Sequence, residues 1–220
     1  MSVFQLSDEI VFPRPDLADP DGLLAVGGDL SPQRLIQAYA AGIFPWYSEN
    51  QPILWWSPDP RMVLFPEEFK RHKNLSRLVR SGKFEVTMDN DFVAVIRACS
   101  KVERKGQEGT WITQEMLQAY IRLFELGFAH SVECRIDGRL AGGLYGVALG
   151  KIFFGESMFH NVTDASKVAL WYLVNYLLEN DFKLIDVQQD TSHLRSLGAR
   201  LIAREEFLKI LKKNVELTGK

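Results

Sequence analysis

Two acids stand among apolar neighbours in stretches that read as β-strands. Glu156 follows Ile152-Phe153-Phe154-Gly155 in KIFFGESMF, and Asp186 lies in KLIDVQQD, two residues before Gln188. A carboxylate is costly to bury unless it is paired or hydrogen-bonded, so each acid implies an unseen partner, an open pocket or a solvent-facing position. Alternate strand residues share a face, which puts Ile152, Phe154, Glu156 and Met158 on one side and Phe153, Gly155, Ser157 and Phe159 on the other. By the same rule Leu184, Asp186 and Gln188 share a face opposite Ile185 and Val187. A single such acid reads as solvated at a strand end or as a cap for the next helix. Both together, with the amide of Gln188 beside one of them, read as a site.

The elements that must position these residues follow from periodicity and punctuation. Residues 1–60 carry many prolines and loop-like segments, FPRPDLADPDGLLAVGGDL and PWYSENQPILWWSPDP, around one short helix, SPQRLIQAYAAG, with Ser31 as N-cap, Pro32 in the first turn and Gly42 at the stop. We expect a small, loop-rich N-terminal domain there and a larger domain over residues 61–220. In the latter come a strand around MVLF, a basic helix near Asn74–Arg80, a strand FEVTMD and a helix from about Asp91. The charged loop KVERKGQEGTW then leads into the helix TQEMLQAYIRLFELG, whose apolar residues recur at helical spacing. HSVECRI, the turn Asp137-Gly138, RLAGGLYGVAL and KIFFGESMF predict an antiparallel meander. A long helix, DASKVALWYLVNYLLEN, the strand KLIDVQ, the helix TSHLRSLG, the strand ARLIA and the helix REEFLKILKK complete an α+β chain with one mixed sheet and flanking helices.

Composition narrows the function classes. The 220 residues are 46% hydrophobic, enough for a full-sized core, and the formal charge of -2 gives no whole-protein signature of nucleic-acid binding. Cys99 and Cys134 have no paired metal-ligand spacing, and the four histidines, His72, His130, His160 and His193, have none either, so no metal is expected. No signal-like start and no apolar run of spanning length is present, and the expected location is cytoplasmic, without membrane attachment. One local patch departs from the overall balance. FKRHKNLSRLVRSGK, Phe69–Lys83, has six Lys/Arg and no acid, with Lys73, Arg77 and Arg80 at i, i+4 and i+7. It reads either as a solvated helix face or, as we expect, as a stripe for the phosphates of an RNA.

The order meander, helix, strand is similar to the GNAT acetyltransferase fold, in which a glycine-rich loop before the helix cradles the coenzyme A pyrophosphate. Such a cradle needs close approach by backbone N–H groups. Here the connection is FHNVTDASK, without glycine, so coenzyme A is not the expected acyl donor and no cofactor is expected.

Several stretches, in order from Gly22 to Ala199, carry a further resemblance: GLLAVGGDLSPQRLIQAYAAGIFPW, PILWWSPDPR, GTWIT, GLYGVALG, FFGESMF, ASKVAL, LIDVQ and HLRSLGA. They resemble the leucyl/phenylalanyl-tRNA–protein transferase family. The resemblance implies transfer of Leu or Phe, and Met less well, from Leu-tRNA or Phe-tRNA to the α-amino group of proteins with N-terminal Arg or Lys, which marks them for degradation by the N-end rule. It implies that Trp46 and Trp111 contact the 3′-terminal adenosine, that Leu144, Phe153, Leu170 and Ile185 line the pocket for the donor side chain, and that Asp186 and Gln188 serve the chemistry. Leu144 stands where one family member has Met, and Leu173 and Leu177 where it has Phe, which bears on the Phe:Leu preference. Stacking on an aromatic ring is the usual way to hold an unpaired base. Trp46 reads equally as a plug between domains, whereas Trp111, after a charged loop, is expected to be the more exposed of the two. Glu156 and Asp186 would together give the cationic acceptor a negative environment. Two other readings remain open, a coenzyme A-dependent N-acyltransferase and a non-catalytic tRNA- or peptide-binding module.

Overall fold

The computed structural model describes residues 3–102 and 111–215; most of the charged loop expected before Trp111 lies outside them. The proline-rich start forms its own small sheet. Its strands are β1 (Phe4–Leu6), β2 (Leu23–Gly27), β3 (Phe44–Pro45) and β4 (Leu54–Trp56), in the order β1-β2-β4-β3. Sequence alone suggested loops here, because strands of two to five residues are too short to display alternation. The helix α1 (Pro32–Ala40) packs beside them, its first turn closed by Ser31, whose hydroxyl accepts from the Arg34 N–H.

The second sheet has seven strands: β5 (Arg61–Leu64), β6 (Glu85–Met88), β7 (Ala129–Ile136), β8 (Arg139–Leu149), β9 (Ile152–His160), β10 (Leu184–Gln188) and β11 (Arg200–Ile202). Their spatial order is β11-β5-β10-β9-β8-β7-β6. β7, β8 and β9 form the meander, with Asp137 and Gly138 both at positive φ in the first turn. β9 and β10 run parallel, joined by a crossover through the helix α5 (Ala165–Glu179), and the other pairs are antiparallel. The placement of β5 between β10 and β11 is non-local: Val63 lies opposite Asp186, so the chain just after the small sheet runs along the strand that carries the candidate chemistry.

Helices cover both faces of this sheet. On one face α3 (Phe92–Ser100) and α4 (Gln114–Glu125) pack with α1 and the small sheet over Val147, Ile152, Phe154 and Leu184. On the other, α5 and α2 (Lys73–Arg80) cover Leu144, Phe153 and Ile185. Beyond β10, α6 (Ser192–Ser196) precedes β11, and α7 (Arg204–Asn214) returns Phe207 and Leu211 to the first core. One apolar cluster therefore runs without a break from Leu24 and Trp55 of the small sheet to Tyr145 and Phe154 of the large one. Among the described residues, no helix is long and apolar enough to cross a membrane.

Candidate active site

β9 and β10 keep parallel register only as far as Phe154 and Asp186; beyond that point each strand carries an irregularity. In β9, Tyr145 pairs with Ser157 and Gly146 with Gly155, which leaves Glu156 as the extra residue of a bulge. In β10, Asp186 pairs with Val63 and Gln188 with Met62, which leaves Val187 unpaired, and Gln188 has φ of 61°. The bulge in β9 depends on Gly146, since a Cβ there would stand 2.2 Å from the Phe154 carbonyl oxygen. It also corrects the simple alternation. Ile152, Phe154 and Glu156 do share a face, but Phe159 joins their core and Met158 turns to the opposite one.

Where the strands part, a cavity of about 370 Å³ opens. Leu144, Phe153, Leu170, Leu173 and Ile185, all of one buried apolar cluster, line it, so the four residues expected to hold a donor side chain do meet in one place. Leu177, one turn beyond Leu173 on α5, is buried elsewhere. Glu156 and Gln188 line the same cavity, as do Trp46 and Trp111. The relative exposure of the two tryptophans is the reverse of the expectation. Trp111 is only 7% exposed, tucked in just before the Thr113 cap of α4, whereas Trp46 is half-buried and packs edge-on against Trp56.

The two acids solve their burial differently. Asp186 is fully buried, and both its oxygens accept from one guanidinium, Arg61 Nε at 2.8 Å and Nη2 at 2.7 Å. Its Oδ1 also accepts the backbone N–H of Gln188 at 3.2 Å. Asp186 is not among the residues that line the cavity, and both its carboxylate oxygens are engaged by Arg61. Among the described residues, Glu156 has no such cation. Its Oε2 accepts from the Tyr120 hydroxyl at 3.0 Å, and its Oε1 from the Gln188 side-chain amide at 2.9 Å. The Tyr39 hydroxyl in turn bonds that of Tyr120. Burial pushes the Glu156 carboxyl up to about 7, more than the bonds from Tyr39, Gln188 and Tyr120 lower it, and the charge of Asp186 raises it further. A Gln188 amide that donates to Glu156 turns its own oxygen elsewhere, free to accept.

Arg61, Tyr39 and Tyr120 were not singled out by sequence reasoning. The signal available for Arg61 was indirect: a buried acid in one strand calls for a cation in another, and Arg61 heads the apolar strand MVLF.

The basic stripe lies away from the cavity, on α2, with Lys73, Arg77 and Arg80 all exposed. Arg71 anchors the start of that helix on α5, over the Trp171 ring and against the Asn175 side chain. At the start of α5, where a pyrophosphate would need open N–H groups, stands Asp164 at φ of 67°, paired with Lys167 at 2.7 Å. A carboxylate in that position repels a phosphate rather than receiving it. Among the described residues, no group of three or more His, Cys, Asp or Glu is arranged to hold a metal ion.

Comparison with known proteins agrees over nearly the whole chain. The family described as leucyl/phenylalanyl-tRNA protein transferase matches residues 63–212, and that family's N-terminal domain matches residues 28–59. Relatives bearing the name leucyl/phenylalanyl-tRNA–protein transferase include those of Syntrophobacter fumaroxidans, 57% identical over 98% of this chain and 92% of that one, and Anaeromyxobacter sp., 58% identical over 94% and 88%. Among solved structures, FemX is similar with a TM-score of 0.48 and 12% identity over 81% of this chain and 70% of that one, too slight a likeness to bear on function. With those matches in sequence, the chain belongs to the leucyl/phenylalanyl-tRNA protein transferase family.

Proposed function

We propose that this aminoacyltransferase moves Leu or Phe, and Met less well, from aminoacyl-tRNA to the α-amino group of proteins that begin with Arg or Lys, the modification that marks a chain for degradation by the N-end rule. The observation that carries this reading is a single cavity lined both by the apolar set Leu144, Phe153, Leu170, Leu173 and Ile185 and by the hydrogen-bonded carboxylate and amide of Glu156 and Gln188. Burying a Leu or Phe side chain is worth about 1.5–3 kcal/mol, which favours these donors over small or charged ones. Trp46 and Trp111 on the cavity wall suit the terminal adenosine. The exposed cations of α2, one helix away, suit the phosphates of the acceptor stem.

The ester carbonyl of an aminoacyl-tRNA needs only a neutral, well-oriented amine, so the reaction calls for no covalent enzyme intermediate. The Gln188 side-chain oxygen accepts a hydrogen bond from the attacking α-amine and aims its lone pair at the carbonyl. This help is positional and electrostatic, since an amide is not a useful base. Glu156, the carboxylate on the cavity wall, offers the cationic acceptor its negative environment, and Asp186 contributes by holding the backbone of Gln188.

Incubation with labelled Phe-tRNA and an Arg-initiated peptide tests the reading: label in the peptide is the expected result. Label transferred only from acetyl-coenzyme A would favour an acyltransferase of the other kind. Binding of tRNA or peptide with no transfer would favour a non-catalytic module.

A further inference from the structure

Arg61 is a full positive charge with no exposure to solvent, held by three separate parts of the chain. Its guanidinium lies between two rings, 4.6 Å from the centroid of Phe44 in the small sheet and 4.8 Å from that of Phe207 in α7. The fork then reaches Asp186 through two parallel bonds, and its remaining nitrogen, Nη1, is buried with no hydrogen-bond partner among the described residues. Stability does not explain such an arrangement. A buried ion pair is commonly matched or bettered by apolar side chains of similar volume, and an orphaned donor makes this one worse. What a planar, two-point donor supplies that an apolar pair does not is a fixed carboxylate plane.

The fixed plane has a use one bond further on. Gln188 has a positive φ, unfavourable for a residue with a side chain, and its N–H is held by the Asp186 Oδ1 that Arg61 Nε also holds. That backbone conformation directs the Gln188 side chain back to Glu156 across the parting strands. We propose that Arg61 is a positioning residue for aminoacyl transfer, acting through Asp186 to hold the Gln188 amide in its attack-orienting place. This inference rests on the reading of Gln188 given above. Phe44 lines the cavity and also covers Arg61, so the small sheet takes part in the same alignment.

The test uses the whole protein with Phe-tRNA and an Arg-initiated peptide, under single turnover. Arg61→Lys keeps the charge but offers a point donor where a fork is needed. Its transfer rate should fall about tenfold or more, while the Kd for Phe-tRNA stays within about twofold. The paired variant Arg61→Met/Asp186→Leu replaces the buried ions with apolar bulk; it should unfold in urea at or above the normal midpoint and still lose the rate. If either variant folds and transfers at the normal rate, the inference is overturned, and the paired variant decides if Arg61→Lys does not fold. Gln188→Ala separates the two levels. A slow Gln188→Ala beside a fast Arg61 variant overturns only the role of Arg61, whereas an unimpaired Gln188→Ala overturns the reading of the site and this inference with it.

Discussion

Glu156→Gln removes a charge while keeping the shape of the side chain, and its clearest consequence is in how stability depends on pH. Burial holds the carboxyl at about 7 in the folded protein, against an ordinary value of 4.5. The folded state therefore binds this proton more tightly than the unfolded chain does. Between about pH 4.5 and pH 7 the native protein carries the extra proton, so the contribution of Glu156 to stability falls as pH rises through that window. At about 1.4 kcal/mol for each tenfold difference in proton affinity, the loss is of order 3 kcal/mol. Glutamine does not titrate. Any penalty from rearranging the bonds to Tyr120 and Gln188 is independent of pH, and the other titrating groups are common to both proteins. Urea unfolding of both proteins at intervals from pH 4.5 to 8 gives the difference directly, and wild type minus variant should decline by roughly 3 kcal/mol as pH rises. A difference that stays level across the range would refute the claim that an uncompensated carboxylate is stored at the cavity wall. An Arg-initiated peptide should supply the missing cation, so its affinity for the wild type should rise through about pH 7 and the stability slope should flatten when it is bound.

Three further outcomes are expected. Glu156→Gln should lower kcat/KM for an Arg-initiated peptide tenfold to a hundredfold, from the loss of a charge-assisted bond worth about 1.5–3 kcal/mol, and should narrow its ratio to an Ala-initiated peptide; an unchanged ratio excludes the recognition role. Replacing Lys73, Arg77 and Arg80 with Ala should weaken tRNA binding and flatten its salt dependence, while a minimal 3′-aminoacyl-adenosine donor, too short to reach α2, reacts unchanged. Gly146→Ala should cost about 3 kcal/mol or more, because the new methyl meets a backbone carbonyl that cannot move aside, whereas Gly155→Ala, whose Cβ would find only contacts at 3.6 Å, should be tolerated in thermal unfolding.

The order of elements was legible because each announces itself locally. Ser31 before Pro32 and the Asp137-Gly138 turn are short-range signals, and the structure carries both, one as a cap and one as a turn. The unread features are non-local. Nothing near MVLF says that it will enter the sheet between β10 and β11, so the partner of Asp186 could not be named. Tyr39 and Tyr120 belong to the buried core, and only the fold turns their hydroxyls toward Glu156. Alternation placed Glu156 on the right face but not Met158, because a bulge inserts one residue and reverses every face after it. Trp111 was expected to be exposed because a charged loop precedes it, yet its own neighbours are the cavity and the start of α4.

The contrast between the two acids supports the division of work proposed for them. Asp186 meets a guanidinium from within the fold and also holds the Gln188 N–H, which suits the positioning role proposed for it. Among the described residues Glu156 meets only neutral donors, which hold its oxygens in place without cancelling their charge. A carboxylate so held is fixed in position before any substrate arrives, and its unfavourable burial is relieved by a cation more than by anything else. Both acids meet at one amide: Asp186 fixes the backbone of Gln188 and Glu156 fixes its side chain, so the oxygen that should receive the attacking amine is oriented from both ends. Removal of either support frees that amide to rotate, which is why changes as far from the cavity as Arg61 should register in the rate of transfer before they register in the binding of tRNA.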